Sequence, residues 1–334
     1  MHDEFYMQLA LNKAWQYQGL TYPNPAVGAV VVCNGVIIAI EAHHKAGTSH
    51  AEVLALLSAY ENLSKNTIDF ESSDASKAHD FLLHLPENFF SNCTIYVTLE
   101  PCSHTGKTPS CANLLKKLKL HKIFIGIKDR IKGHDNGAKN LENVTFGILE
   151  EACKALLEPF TIWQKRAFVL FKLSQTSNGR IATNSNEGYL SSKASLMHVH
   201  QLRGVCSTLL IGGNTVRVDR PILDCRFADS EAPHVKIYAK EDNFDRDIAL
   251  FNVVNREVDV VDNLDFLNKP SFVMVEGGEG MLNALQDNID WMLFYQTPKL
   301  STNTLTYNTT MNLAFLHTEK KDVDLMIWSK NLGH

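Results

Sequence analysis

The chain has 334 residues, enough for two domains of ordinary size. With 45% apolar and 21% charged residues it can bury ordinary cores, and its formal net charge of −5 offers no basic stripe for a nucleic acid. No apolar run approaches the roughly 18 residues of a membrane span, and the polar start His2-Asp3-Glu4 lacks the layout of a secretory leader, so a cytoplasmic protein that binds neither nucleic acid nor membrane is expected.

Phe5, Leu9, Ala10, Ala14 and Tyr17 recur at helical spacing and predict an opening amphipathic helix, which Thr21-Tyr22-Pro23-Asn24-Pro25 then breaks. Val27 to Val32 and Val36 to Ile40 read as two strands joined at Asn34-Gly35, a strong short hairpin signal. Ala51 to Tyr60 reads as a helix, Ile95 to Leu99 as a buried strand, Cys111 to about Leu118 as a helix and Lys122 to Ile127 as a strand. That order predicts an α/β domain whose sheet is covered by helices. Residues 61–93, serine-rich and then apolar around Pro86, read as a surface insertion with room for one short helix. Ile148 to Leu157 reads as a connecting helix that ends near Pro159. A second series of strands follows at 167–173, 208–211, 235–239 and 272–275, with helices near 192–203 and 280–286, which predicts a second α/β unit with a largely parallel sheet.

The chemistry is concentrated in His50-Ala51-Glu52, Pro101-Cys102 and Cys111. One imidazole and two thiolates form a tripod for Zn²⁺ with a fourth position left for water, whose pKa such a site brings toward neutrality. Glu52, two residues after His50, is expected to be a proton shuttle and not a ligand. Cys111 opens a helix, whose N-terminal dipole favours thiolate over thiol. His104 and Cys93 are chemically competent ligands too, but the tripod is complete without them. The seven cysteines are odd in number and scattered, so those outside the metal site are expected to be free thiols. Zinc nucleobase deaminases use a His-x-Glu and Pro-Cys arrangement of this kind, commonly with two residues between the cysteines.

Here Ser103 to Ser110 intervene, and the run Pro101-Cys102-Ser103-His104-Thr105-Gly106-Lys107-Thr108-Pro109-Ser110-Cys111 closely resembles the deaminase half of the bifunctional riboflavin-biosynthesis deaminase–reductases. So do Pro23-Asn24-Pro25-Ala26-Val27-Gly28 and Ala46-Gly47-Thr48-Ser49-His50-Ala51-Glu52. The resemblance implies a cytidine-deaminase-like domain over 1–147, and loss of the 2-amino group of 2,5-diamino-6-ribosylamino-4(3H)-pyrimidinone 5′-phosphate as ammonia. It also places Asn24 and His43 in the segments that line the pyrimidine pocket.

From bare residues the second half says less. Glu276-Gly277-Gly278-Glu279-Gly280 follows a strand and precedes a helix, so its amides could cradle phosphate, and Ile211-Gly212-Gly213-Asn214-Thr215 makes a similar strand-to-loop transition. Either cluster alone is equally a tight turn, and the dinucleotide fingerprint GxGxxG is absent. Lys172-Leu173-Ser174, Asn178-Gly179-Arg180, Thr215 with Asp219, and Arg203, Pro221, Leu223 and Arg226 nevertheless resemble the reductase half of the same family at matching spacings. That likeness implies a dihydrofolate-reductase-like domain over 148–334, with Ser174, Tyr189, Thr215, Asp219, Gly278, Glu279, Gly280, Met281, Leu282, Asn283 and Ala284 contacting NADPH. Arg203, Leu223, Arg226 and Glu276 would contact the phosphorylated pyrimidine, the two arginines suiting its phosphate.

Departures from the family pattern are confined mostly to this half. Asn178 stands where an acid is usual, Tyr189 where tryptophan is usual, the region after Asp290 is compressed, and Pro298-Lys299-Leu300 lacks its following glycine. Asp129 is kept in the inter-domain segment, but Arg130 replaces a proline. The reading is therefore a bifunctional enzyme with zinc and NADPH, a homo-oligomer being compatible with it. One alternative is a deaminase with a degenerate reductase-like domain. A zinc-stabilised binding module is opposed by Glu52, which a structural site does not need.

Overall fold

Gly28–Cys33 (β1) is buried along its whole length, because helices cover both of its faces. The computed structural model describes residues 2–129, 131, 136–183, 188–228 and 230–333, so Arg130 lies outside the described residues. They divide into two units at Phe160/Thr161. The first contains α1 (Asp3–Trp15), β1, β2 (Val36–Ala42), α2 (Ala51–Ser64), α3 (Ala75–Leu83), β3 (Cys93–Leu99), α4 (Cys111–Leu118), β4 (Lys122–Ile127), β5 (Val144–Phe146) and most of α5 (Glu150–Trp163). Its sheet runs β2-β1-β3-β4-β5, antiparallel at β2/β1 and β1/β3 and parallel at β3/β4 and β4/β5. Asn34 (φ 51°) and Gly35 (φ 79°) form the hairpin turn as read from the sequence. Gly28 lets α1 lie against β1, since a Cβ there would sit 1.9 Å from the Ala10 carbonyl oxygen.

Three expectations change here. The buried face of α1 carries Tyr6, Met7, Ala10, Leu11, Ala14 and Trp15, while Phe5 is 45% exposed. Apolar residues lie on several sides of this helix, so packing against the sheet chose the face. The segment 61–93 is not only a surface insertion: Ala78, Leu82 and Phe90 are fully buried in the core, and Tyr60 packs edge-on to Phe81. Cys33 and Cys93 face each other across β1 and β3, with Cα atoms 4.2 Å apart, and are joined by a disulfide instead of remaining free thiols.

The helix expected to end near Pro159 runs on to Trp163 with Pro159 inside it. The unit boundary accordingly falls later than the expected 147/148 division. Cys153 packs against Gly126, Leu157 joins the first core, and the Gln18 side-chain amide donates to the Leu156 carbonyl (2.7 Å).

The second unit contains β6 (Ala167–Thr176), α6 (Lys193–Val205), β7 (Thr208–Gly212), α7 (Gly213–Asp219), β8 (His234–Tyr238), β9 (Val258–Val261), β10 (Ser271–Glu276), α8 (Glu279–Leu285), β11 (Trp291–Thr297), β12 (Leu313–Lys321) and β13 (Asp324–Asn331). The order is β12-β13-β11-β6-β10-β7-β8-β9, parallel from β11 to β9 and antiparallel through β13 and β12. The expected parallel sheet is thus present and extended by a hairpin. The glycine pair at 212–213 passes from β7 straight into α7 with no loop between. Among the described residues, no helix is long and apolar enough to cross a membrane.

The packing of the insertion is testable. Leu82→Ala should destabilise the first unit by about 2–5 kcal/mol, as for a buried leucine. The measurement is the midpoint of its urea transition. A change of about 0.5 kcal/mol or less would mark the segment as a surface decoration.

Candidate active sites

In the first unit two helices begin side by side. His50 is the N-cap of α2, and Glu52 lies in its first turn, buried. Cys111 opens α4, whose N-cap Ser110 accepts from the Asn113 N–H (3.3 Å) and donates to the Cys102 carbonyl (2.9 Å). One capping hydroxyl therefore sets both the start of the helix and the position of the other cysteine. Glu100, just before Pro101-Cys102, is fixed in turn, accepting from the backbone N–H groups of Asp129 (3.1 Å) and Ala138 (2.9 Å).

His50 Nδ1 lies 3.7 Å from Cys102 Sγ and 3.4 Å from Cys111 Sγ, and the three ligand atoms fall within 4.8 Å of one another. Tetrahedral zinc, with bonds of about 2.3 Å to sulfur and about 2.0–2.1 Å to nitrogen, separates such atoms by about 3.5–3.8 Å. The donor set and its spacing therefore fit zinc. His50 Nε2 is 3.1 Å from Thr108 Oγ1, so a metal on Nδ1 leaves the Nε2 proton to be donated to that hydroxyl. The Cys111 thiol and the facing His50 hold the Cys102 thiol well below its usual range, while Cys111 is pushed up as the partner that keeps the proton. Burial pushes the Glu52 carboxyl up to about 7, against the opposing pull of His50.

Asn24 and His43 stand beside this tripod. Asn24 Nδ2 is 3.1 Å from His43 Nε2, and His43 Nδ1 is 3.1 Å from the Ser49 carbonyl. His43 thus donates through Nδ1 and accepts through Nε2. Burial, and secondarily His50, lower its pKa to about 4, so it stays neutral at pH 7. Ser49 is itself held by the insertion, its hydroxyl donating to the Ser72 carbonyl (2.6 Å) and its N–H to the Ser73 carbonyl (3.1 Å). All six residues expected in the first site, His50, Glu52, Cys102, Cys111, Asn24 and His43, come together. His104 is exposed, and Cys93 is occupied in the disulfide. The roles of Thr108 and Ser49 were not anticipated, although both lie within the quoted motifs.

In the second unit Glu276 ends β10, opposite Lys172 on β6. Its carboxylate accepts from Lys172 Nζ (2.9 Å) and Arg203 Nε (2.6 Å). Burial alone would raise the Glu276 pKa, but the two cations outweigh it and hold the carboxyl well below the usual range. Arg203 also donates to the Asp224 carbonyl oxygen (3.2 Å), and the Asp224 carboxylate accepts from Arg226 Nε (2.9 Å). Leu223 is buried with φ 57°. The four expected substrate residues are thus linked, and Lys172 is a fifth member signalled only by the Lys-Leu-Ser motif.

The expected cofactor residues are more dispersed. Ser174 is on β6, Thr215 and exposed Asp219 are on α7, and Tyr189, 57% exposed, precedes α6. Gly278 caps α8, which carries Glu279, Gly280, Met281, Leu282, Asn283 and Ala284. Met281 and Leu282 are packed in the core, so only their backbone is available to a ligand. Asn308 N–H donates to Glu279 Oε1 (3.0 Å), and Thr309 Oγ1 donates to Asn283 Oδ1 (2.5 Å), so segment 307–309 lies against α8.

The unusual Asn178 has a physical reason. Its amide donates to the Ser301 carbonyl (2.8 Å) while its oxygen accepts from Ser301 N–H (3.1 Å) and Thr176 Oγ1 (2.7 Å). An aspartate could not make the first of these bonds.

Residues 1–127 match the family described as the cytidine and deoxycytidylate deaminase zinc-binding region, and residues 167–303 match the RibD C-terminal domain. The chain is 35% identical over 245 residues to riboflavin biosynthesis protein RibD of Aquifex aeolicus, covering 70% of this chain and 61% of that protein. It is 28% identical over 315 residues to RibD of Mycobacterium tuberculosis, covering 88% and 84%. A solved diaminohydroxyphosphoribosylaminopyrimidine deaminase/5-amino-6-(5-phosphoribosylamino)uracil reductase from Thermotoga maritima superposes with TM-score 0.65 at 26% identity over 98% of each chain. The chain spans about three fifths of the length of the first curated relatives it matches, 61% and 57%.

Zinc content tests the tripod. The purified protein should carry one zinc per chain, and Cys102→Ala should lose it, read by elemental analysis after gel filtration. Stoichiometric zinc in the variant would show that other residues hold the metal.

Proposed function

Because the chain belongs to the RibD family of riboflavin-biosynthesis proteins, we propose that its first unit deaminates 2,5-diamino-6-ribosylamino-4(3H)-pyrimidinone 5′-phosphate and its second reduces the ribosyl group of the product to ribityl with NADPH. The observation that carries the reading is a buried carboxyl, Glu52, in the first turn of the helix that His50 caps and in contact with Cys111 of the three-ligand metal site. A purely structural zinc site closes its fourth position with another protein ligand and has no use for an acid–base group beside it.

His50, Cys102 and Cys111 would hold zinc, which would supply the Lewis acidity that lowers the pKa of a water near neutral pH. Glu52 takes one proton from the water and delivers it to a ring nitrogen, then takes the second from the hydroxyl of the adduct and passes it to the departing amine as the C=O bond forms. Water adds at the ring carbon, its C–N bond to the amine breaks, and ammonia leaves. His43, held neutral and oriented by the Ser49 carbonyl, turns the Asn24 amide. Asn24 Oδ1 and the second amide hydrogen then read the edge of the pyrimidine.

In the second unit Arg203 and Arg226 bind the substrate and its phosphate, Leu223 contacts it, and Glu276 with Lys172 orients its polar groups. Ser174, Tyr189, Thr215, Asp219 and the backbone of 278–284 would hold NADPH, which would supply the hydride for the sugar carbon. A cytoplasmic setting suits both the reduced cofactor and the phosphorylated substrate. Against a degenerate second domain stands the buried Lys172–Glu276–Arg203 cluster. Desolvating three charges is costly, and apolar residues would serve a mere scaffold as well or better.

Two outcomes follow. Glu52→Gln keeps the side-chain shape but cannot exchange protons, so it should retain zinc while ammonia release falls by about 10² or more; near wild-type turnover would remove Glu52 from the mechanism. Arg226→Ala should raise KM for the deaminated pyrimidine by about tenfold or more and leave ammonia release unchanged. The same mass-resolved assay, run on the wild type with and without NADPH, separates the two activities. If the wild type consumes no NADPH with authentic deaminated substrate, only the deaminase remains.

A further inference from the structure

The segment 221–226 of the second unit has a backbone that its own sequence does not favour. Leu223 sits at φ 57°, in the left-handed region that residues with a Cβ populate sparsely. What holds it there is visible in the carbonyls on either side. Arg256 Nη1 donates to the Ile222 carbonyl (2.5 Å) and Arg256 Nη2 to the Leu223 carbonyl. The next carbonyl, of Asp224, accepts from Arg203 Nη1 (3.2 Å), and the Asp224 carboxylate accepts from Arg226 Nε (2.9 Å). Three consecutive carbonyls are therefore taken by two guanidinium groups, and a third guanidinium is tied to the side chain between them.

Arg256 reaches this segment from the turn before β9. Its remaining donors go to the Pro233 carbonyl (Nε, 3.1 Å) and the Leu250 carbonyl (Nη1, 3.3 Å). It is half-buried, and among the described residues no carboxylate forms an ion pair with it. A guanidinium fans its donors across several acceptors in one plane, whereas a lysine ammonium is a point charge that could not span these four carbonyls.

We propose that Arg256 is a positioning residue of the reductase: it holds segment 221–226 in the conformation that presents Leu223 and Arg226 to the phosphorylated pyrimidine. The inference rests on the reductase reading above. It differs from a simple staple of the β8/β9 edge, which would weaken both ligands and the fold together.

The test is steady-state reductase kinetics on the full chain with authentic deaminated substrate and NADPH. Arg256→Lys should raise KM for the pyrimidine by about tenfold or more, with KM for NADPH within about twofold of wild type. The same variant should show a much smaller KM change with the substrate lacking its 5′-phosphate. An unchanged KM for the phosphorylated pyrimidine in a folded variant overturns the proposal, as do equal rises for both ligands. Arg256→Gln, which keeps two donors without the charge, serves if the lysine variant does not fold. If neither folds, the staple reading stands and the proposal falls. A wild-type protein that consumes no NADPH overturns the reductase reading itself, and that result is seen before any variant is compared.

Discussion

An imidazole and two thiols brought within 4.8 Å of one another inside a packed unit set the terms for everything around them. Such a group needs a cation to be stable when fully deprotonated, and it needs rigid placement to select one. Placement comes from the sheet. β3 and β4 are parallel neighbours joined through α4, and α2 follows the antiparallel pair β1/β2, so the N-termini of α2 and α4 meet near the end of β3. His50 and Cys111 then sit at helix starts, and Cys102, in the loop after β3, is tied to the start of α4 by the Ser110 hydroxyl. Glu100, Ser110 and Thr108 complete the arrangement without touching the metal position themselves.

The second unit solves a different problem, that of keeping several charges near one another out of water. Glu276 lies between Lys172, its register neighbour on the adjacent strand, and Arg203 on α6. From Arg203 the bonds continue through Asp224 to Arg226, so the central strand is connected to an arginine 42% exposed at its side chain. A buried pair of this kind is weak support for stability, since its desolvation penalty offsets its attraction. It is the cluster that the proposed function places beside an anionic substrate.

Two departures from the family pattern, Asn178 and the shortened region after β11, are accommodated by local bonding. Asn178 uses both ends of its amide to dock Ser301, and Ser177 N–H and Ile181 N–H donate to the carbonyls of Lys299 (2.8 Å) and Leu305 (3.1 Å). The shortened region after β11 is thereby tied to the loop that follows β6. The insertion is likewise integrated. Its carbonyls at 72 and 73 anchor Ser49, whose own carbonyl orients His43, so a segment peripheral in sequence bears on the geometry of the first site.

The amino-acid sequence alone determined which side chains could hold a metal, because ligand type is a property of the residue and the starts of α2 and α4 follow from local periodicity. α4 and β4 begin and end where the pattern of apolar residues placed them, at Cys111–Leu118 and Lys122–Ile127. Local sequence could not show which residues separated by long stretches of chain would meet. The Cys33–Cys93 disulfide spans 60 residues and exists because β1 pairs with β3 in that register. The buried face of α1, the burial of Leu82 and Phe90, and the hairpin β12–β13 likewise depend on neighbours supplied by other elements. Arg256 is the clearest case. As a residue it is an unremarkable surface arginine, and only the order of strands β7, β8 and β9 brings its donors onto the carbonyls beside Leu223. Dihedral preference and ligand chemistry are short-range properties carried by single residues, whereas contact is decided by sheet order and register, which form only when the chain folds as a whole.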